Sequence, residues 1–194
     1  MSLKIIAGKY RNRTLKTLPQ DNLSIRPLLG RMKKSIFDIL KSTIFDCSFL
    51  DLFAGVGSCG IEALSLGARE VVFVEKSPIS INLIKQNLEM LKIEPQNAKI
   101  LQCDIIKNLK FISGNFDIIF MGPPYKDDKK RPLALTQPTL KNIAFSNLLN
   151  PSGIIISQRH KTEKVDEIER LEIFRVENYG DTTVVFYKLN KDIQ

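Results

Sequence analysis

Phe49–Gly60 reads FLDLFAGVGSCG: an apolar strand that meets an acid and then a loop with glycines at 55, 57 and 60. Ile61–Leu66 follows with helical spacing. Glycines permit a tight turn and let backbone amides approach a ligand closely, and the helix start adds unpaired N–H groups. On its own, Gly55-x-Gly57-x-x-Gly60 fits a dinucleotide site as well as any other nucleotide-like ligand. Its neighbours narrow the choice. Asp51 stands near the strand end, and Glu75 closes the next apolar run, Val71–Glu75, 24 residues after Asp51.

Outward from this stretch the pattern of strand, loop and helix repeats. Strands are predicted at Phe49–Phe53, Val71–Glu75, Lys99–Cys103, Phe116–Met121 and Ile154–Ser157, with helices at Ile61–Leu66, Ile79–Leu91 and Pro138–Leu149. Continuous apolar strands alternating with amphipathic helices imply a parallel sheet covered on both faces. Arg170–Val176 and Thr183–Leu189 flank a short polar turn with no helix between them, which predicts an antiparallel hairpin at the sheet edge. Towards the N-terminus, Lys4–Gly8 and Thr14–Leu18 read as a small hairpin around a basic tip at 9–13. Pro19 to Pro27 reads as loop, and Leu28–Leu40 as a helix with Arg31, Lys33 and Lys34 outward. The expected organisation is an extension at 1–46 and a main domain at 47–194.

The 194 residues suffice for one sizeable core, and 43% hydrophobic and 26% charged residues are ordinary for a soluble globular protein. No apolar run approaches the roughly 18 residues of a membrane helix. The first residues lack the apolar core and cleavage site of a signal peptide, so a cytoplasmic protein is expected. Three cysteines without C-x-x-C spacing and a single histidine, His160, argue for reduced thiols and against a metal cluster or a His-dependent nucleophile. His160 is expected to be exposed at a strand end.

The net charge of +8 is unevenly placed. Residues 1–46 carry ten Lys/Arg against three acids, whereas 19 face 18 in the remainder. A cationic arm on a near-neutral body points to nucleic acid or another polyanion.

In an open α/β sheet, ligands bind beyond the carboxyl ends of the strands. Asp51, Glu75 and Asp104 are expected there. Glu75 suits ribose hydroxyls and Asp104 an adenine amino group. A carboxylate at 51 would repel a pyrophosphate and favour an ammonium, which points to S-adenosylmethionine over NAD. Gly122-Pro123-Pro124-Tyr125 is held extended by its prolines, with free carbonyl acceptors and an aromatic face, as a flipped-out base requires.

Together these stretches resemble the RsmD-like family of bacterial small-subunit (16S) ribosomal RNA guanine-N2 methyltransferases. The resemblance runs through Ile5–Gly8 with Arg11 and Arg13, Arg26-Pro27, Arg31 and Phe37-x-Ile39-Leu40. It continues through Leu50–Ala63, Val72–Glu75 and Tyr179–Thr183, nearly the whole chain. It implies a Rossmann-like class I methyltransferase with a seven-stranded, mostly parallel sheet, an antiparallel C-terminal hairpin and a small N-terminal hairpin and helix. It implies S-adenosylmethionine held by Asp51, Phe53, Ala54, Gly55, Gly57, Glu75, Lys76, Asp104 and Ile105. It places Gly122, Pro123, Pro124 and Tyr125 at the catalytic centre. The basic arm, through Arg11, Arg13, Arg26, Arg31 and Lys33, would grip ribosomal RNA or a small-subunit assembly intermediate as a monomer.

One position departs from the family pattern: its catalytic motif begins with Asp, and here Gly122 supplies no side-chain oxygen. Three outcomes stay open at this stage. Asp127 or Asp128 reaches in, backbone acceptors suffice, or the chain binds RNA and methylates poorly. The competing functions are a DNA adenine-N6 methyltransferase, an RNA-binding assembly factor with a vestigial pocket, and a nicotinamide oxidoreductase.

Overall fold

The computed structural model describes residues 3–18, 30–107, 109–127 and 129–190. The proposed loop at 19–27, with Arg26 and Pro27, and Asp128 lie outside the described residues. Four strands, β3 (Ser48–Leu52), β4 (Glu70–Glu75), β5 (Ala98–Gln102) and β6 (Phe116–Met121), run parallel with β7 (Leu149–His160). Strands β8 (Leu171–Tyr179) and β9 (Thr182–Leu189) form the expected hairpin, β9 pairing antiparallel with β7 and β8 closing the edge. The order across the seven strands is β5-β4-β3-β6-β7-β9-β8.

Every residue of β3 is buried, because helices cover both faces of the sheet. Alternation along the strands sorts the core into two clusters. Phe49, Phe73, Ile118, Phe120 and Phe186 face one side with the helices α2 (Ser58–Ser65) and α3 (Pro78–Met90). Leu50, Leu52, Val74, Ile119 and Met121 face the other with α4 (Thr136–Ala144).

The N-terminal arm joins the first cluster. Its strands β1 (Leu3–Lys4) and β2 (Thr14–Leu15) pair antiparallel, and Leu3, Ile5 and Leu15 are buried with Met32, Ile36 and Phe37 of α1 (Gly30–Ile39). Arg31 and Lys34 are exposed, as the sequence suggests. Lys33 is not. It is fully buried, with its Nζ 2.7 Å from Glu62 Oε2, 3.0 Å from the Lys4 carbonyl and 3.2 Å from Ser58 Oγ. The assignment of Lys33 to RNA binding is therefore corrected: it is an internal ion-pair partner, closed off from any phosphate.

Three boundaries also shift. Helix α2 begins at Ser58, so Gly60 is helical and not part of the loop. A Cβ at 60 would lie 2.3 Å from Phe73 Cε1, so glycine serves there to seat the helix on β4. Strand β7 starts at Leu149, five residues before the expected Ile154, and α4 ends correspondingly early. The turn between β8 and β9 shrinks to Gly180-Asp181, with Gly180 at φ +60°.

Candidate active site

The chain runs outward from β3 to β4 and β5, then returns to β6 on the other flank of β3. Strand order reverses between β3 and β6, where α/β folds open a crevice at the carboxyl ends. Leu52 pairs with Met121, so the loops that begin at Phe53 and at Gly122 leave the sheet side by side. On the other flank, Leu52 pairs with Val74 and Glu75 with Gln102, which brings Glu75 and Asp104 to the same end.

Phe53 turns the chain with φ +60°, and Gly55 and Gly57 continue it at +57° and +81°. The loop is held by its own amides: Ala54 N–H donates to the Val74 carbonyl and Gly55 N–H to Glu75 Oε2 at 2.8 Å. Glu75 is 8% exposed, and its Oε1 accepts the amides of Lys76 and Ser77, both at 2.9 Å. Three backbone donors thus fix this carboxylate before any ligand arrives. Asp104 is half-buried and Ile105 buried at the end of the neighbouring strand, and the Cys103 amide is anchored on the Glu75 carbonyl.

Asp51 sits differently from the sequence expectation. It is 1% exposed, and its Oδ2 accepts the Gly60 amide at 2.9 Å. Burial pushes its carboxyl up to about 7, opposed by the Gly60 amide and assisted by the charge of Glu75. Asp51 braces the first turn of α2 and presents no open anion to an ammonium, so its expected direct contact is corrected.

Gly122-Pro123-Pro124-Tyr125 follows β6, with Pro123 buried and the others half-buried. The Tyr125 hydroxyl accepts from Gln158 Nε2 at 2.8 Å and lies 3.2 Å from Thr182 Oγ1. Its ring meets His160 edge-on, with centroids 5.7 Å apart at 73°. His160 ends β7 and is half-buried, less open than its strand-end position suggests. Sequence reasoning missed the contacts of Tyr125 with Gln158 and Thr182 and the buried Lys33–Glu62 pair, all of which join distant elements. Arg11 and Arg13 are exposed at the tip of the N-terminal hairpin.

The family described as Conserved hypothetical protein 95 matches residues 3–188. Ribosomal RNA small subunit methyltransferase D of Haemophilus influenzae is 30% identical over 189 residues, covering 96% of this chain and 92% of that protein. The chain belongs to this RsmD-like family. The solved Escherichia coli protein YhhF superposes with a TM-score of 0.83 at 24% identity, covering 98% of this chain and 99% of its own. SMU.776, solved in complex with SAH, gives 0.61 at 16% identity over 81% of this chain and 49% of its own. The RsmD-like chain thus has the Rossmann-like class I methyltransferase fold. Among its described residues no helix is long and apolar enough to cross a membrane.

Within this RsmD-like framework, the space beside Gly122 is bounded by Gln158 and Phe120. A Cβ there would meet Gln158 Oε1 and Phe120 Cε1 at 3.4 Å, the lower end of ordinary contact, so a Cβ is accommodated without a clash.

Proposed function

We propose that this protein methylates the exocyclic N2 amine of a guanine in small-subunit ribosomal RNA, with S-adenosylmethionine as the donor. The observation that carries the proposal is the crevice between β3 and β6. There a pre-fixed carboxylate and glycine loop flank a stiff proline loop with an aromatic residue.

The residues fit the cofactor. Glu75 keeps its carboxylate aligned through backbone amides and is suited to the ribose hydroxyls. Phe53, Ala54, Gly55 and Gly57 present backbone without bulk, and Asp104, Ile105 and Lys76 flank the nucleoside end. Bound there, the donor would supply the methyl group: the amine nitrogen would form the new N–C bond as the C–S pair stays on sulfur, and would shed one proton to water.

An exocyclic amine is a weak nucleophile because its lone pair is delocalised into the ring. Carbonyls of the Gly122–Pro124 segment accept its N–H bonds and favour a pyramidal nitrogen. Tyr125, tied to Gln158 and Thr182, gives the base a rigid wall. Arg11, Arg13 and Arg31 are exposed and supply phosphate contacts without reading sequence. Arg26 joins them by sequence alone. The RsmD-like relatives, named as acting on small-subunit ribosomal RNA, support the same substrate class.

The test is label transfer from methyl-labelled S-adenosylmethionine to small-subunit particles lacking the modification, followed by nucleoside digestion. N2-methylguanosine is the expected product. Label in N6-methyladenosine, or none in RNA while DNA accepts it, would overturn the reading.

A further inference from the structure

Gly122 lacks the oxygen with which the family motif begins, and we propose that Gln158 replaces it: its carboxamide oxygen is the side-chain acceptor for the reacting amine. This rests on the guanine-amine reading above.

The placement follows from strand register. Met121 pairs with Ser157, so the next residues, Gly122 and Gln158, leave β6 and continue β7 side by side. Gln158 is half-buried, and its Oε1 lies 3.4 Å from where a Cβ at 122 would stand. The amide is oriented, because Nε2 donates to the Tyr125 hydroxyl at 2.8 Å and that hydroxyl is in turn within 3.2 Å of Thr182 Oγ1. With Nε2 so engaged, Oε1 points to Gly122, and among the described residues it accepts no hydrogen bond. Thr182, Tyr125 and Gln158 form a relay of contacts that ends on a free acceptor beside the proline loop.

Asp127, the acid expected to reach in, is committed elsewhere. Its Oδ2 is bound by Arg131 Nε at 2.7 Å and Nη2 at 2.6 Å, while Oδ1 accepts the amides of Lys129 and Arg131. The Arg131 contacts hold its carboxyl below the ordinary value. An arginine-locked carboxylate inside its own turn is a poor candidate to swing across.

A neutral amide oxygen accepts the amine N–H and draws the nitrogen lone pair out of conjugation, but it does not take the proton, which leaves for water. Hydrogen bonds to a neutral acceptor are about half as strong as those to a carboxylate, so Gln158 provides a weaker version of the missing group.

The experiment compares wild type, Q158L, Q158E and the double variant Q158L/G122D on small-subunit particles. Loss of one pre-organised acceptor predicts a kcat lower by about 10²–10³-fold in Q158L, with KM for the particles little changed. Q158E should retain turnover, and G122D should restore it in the Q158L background, since a carboxylate oxygen then stands in for the lost acceptor. A second readout does not depend on turnover. With S-adenosylhomocysteine present, saturation-transfer NMR should show GMP preferred over IMP, which lacks the 2-amino group, and the preference should vanish in Q158L.

Unchanged turnover in Q158L overturns the proposal, as does a loss that neither Q158E nor G122D repairs. The same response to GMP and IMP in wild type, none included, overturns it too. If Q158L also loses affinity for S-adenosylhomocysteine, the substitution is a structural lesion and Q158E decides: turnover near wild type sustains the role, and collapse rejects it. Failure of wild type to label any guanine rejects the underlying function, whereas an active wild type matched by Q158L rejects Gln158 alone.

Discussion

Lys33→Met should destabilise the fold more than any surface change on the basic arm. Lys33 and Glu62 have side-chain exposures of 1% and 0%, and the ion pair is 2.7 Å long. Methionine fills most of the same volume but removes the cation, leaving Glu62, among the described residues, with the amides of Ile6 and Ala7 as its hydrogen-bond donors. Breaking one partner of a buried pair costs about 3–5 kcal/mol, because the remaining charge is stranded in a low-dielectric site. For a chain of this size each kcal/mol lowers Tm by about 2–4 °C, so a drop of roughly 6–20 °C is expected. Urea unfolding monitored by circular dichroism gives the free energy directly, provided the m-value matches wild type. Limited proteolysis adds location: cleavage within residues 3–18 should appear before cleavage of the sheet. K33M/E62Q should recover part of the loss, since the neutral amide still offers an oxygen to the arm. A loss below about 1 kcal/mol for K33M would refute the reasoning, since that is the scale of an exposed pair.

Asp51→Asn should flatten the pH dependence of stability. The carboxyl ionises near 3.8 when unfolded and near 7 when folded, so the native state holds the extra proton between those values. Stability is then full below 3.8 and lost as pH rises through about 7, and urea titrations across that window should show the slope in wild type but not in D51N. Gly60→Ala should cost about 1–3 kcal/mol through overpacking. The new Cβ would fall 2.3 Å from Phe73 Cε1 and 2.7 Å from Val71 Cγ1, and thermal unfolding with S-adenosylhomocysteine calorimetry should register both lower Tm and weaker binding. Replacing Arg11 and Arg13 together should reduce the slope of log affinity for small-subunit RNA against log salt by about 1 to 2. An unchanged slope removes the hairpin tip from the interface.

The alternation of strands and helices was legible because buried parallel strands are mostly apolar, and β3, β4 and β6 keep apolar runs that only Asp51 and Asp117 interrupt from within. The hairpin at the edge was legible because no helix separates its strands. Gly60 misled because a helical glycine and a loop glycine look alike until Phe73 is seen beneath it. Lys33 misled for a related reason: its helical phase shares the buried stripe with Met32, Ile36 and Phe37, and only the distant Glu62 makes a charge tolerable there. Asp51 looked like an exposed anion because the sequence does not reveal that the first turn of α2 settles on its carboxylate. Gln158 was invisible since its position opposite Gly122 is a property of inter-strand register, which no local pattern encodes.

Helix α2 links two contacts at its opposite ends. Its first residue, Ser58, adjoins the glycine loop, while Ser65 near the other end accepts the Lys9 amide on its carbonyl and the Tyr10 amide on its hydroxyl. Eight helical residues make a rod of about 12 Å. The rod acts as a gauge, setting one separation between the arginine-bearing tip and the crevice. On the proposed reading, substrate choice turns on reach: a nucleotide would be admitted when its neighbouring backbone lies at the offset the gauge dictates, whatever its flanking sequence.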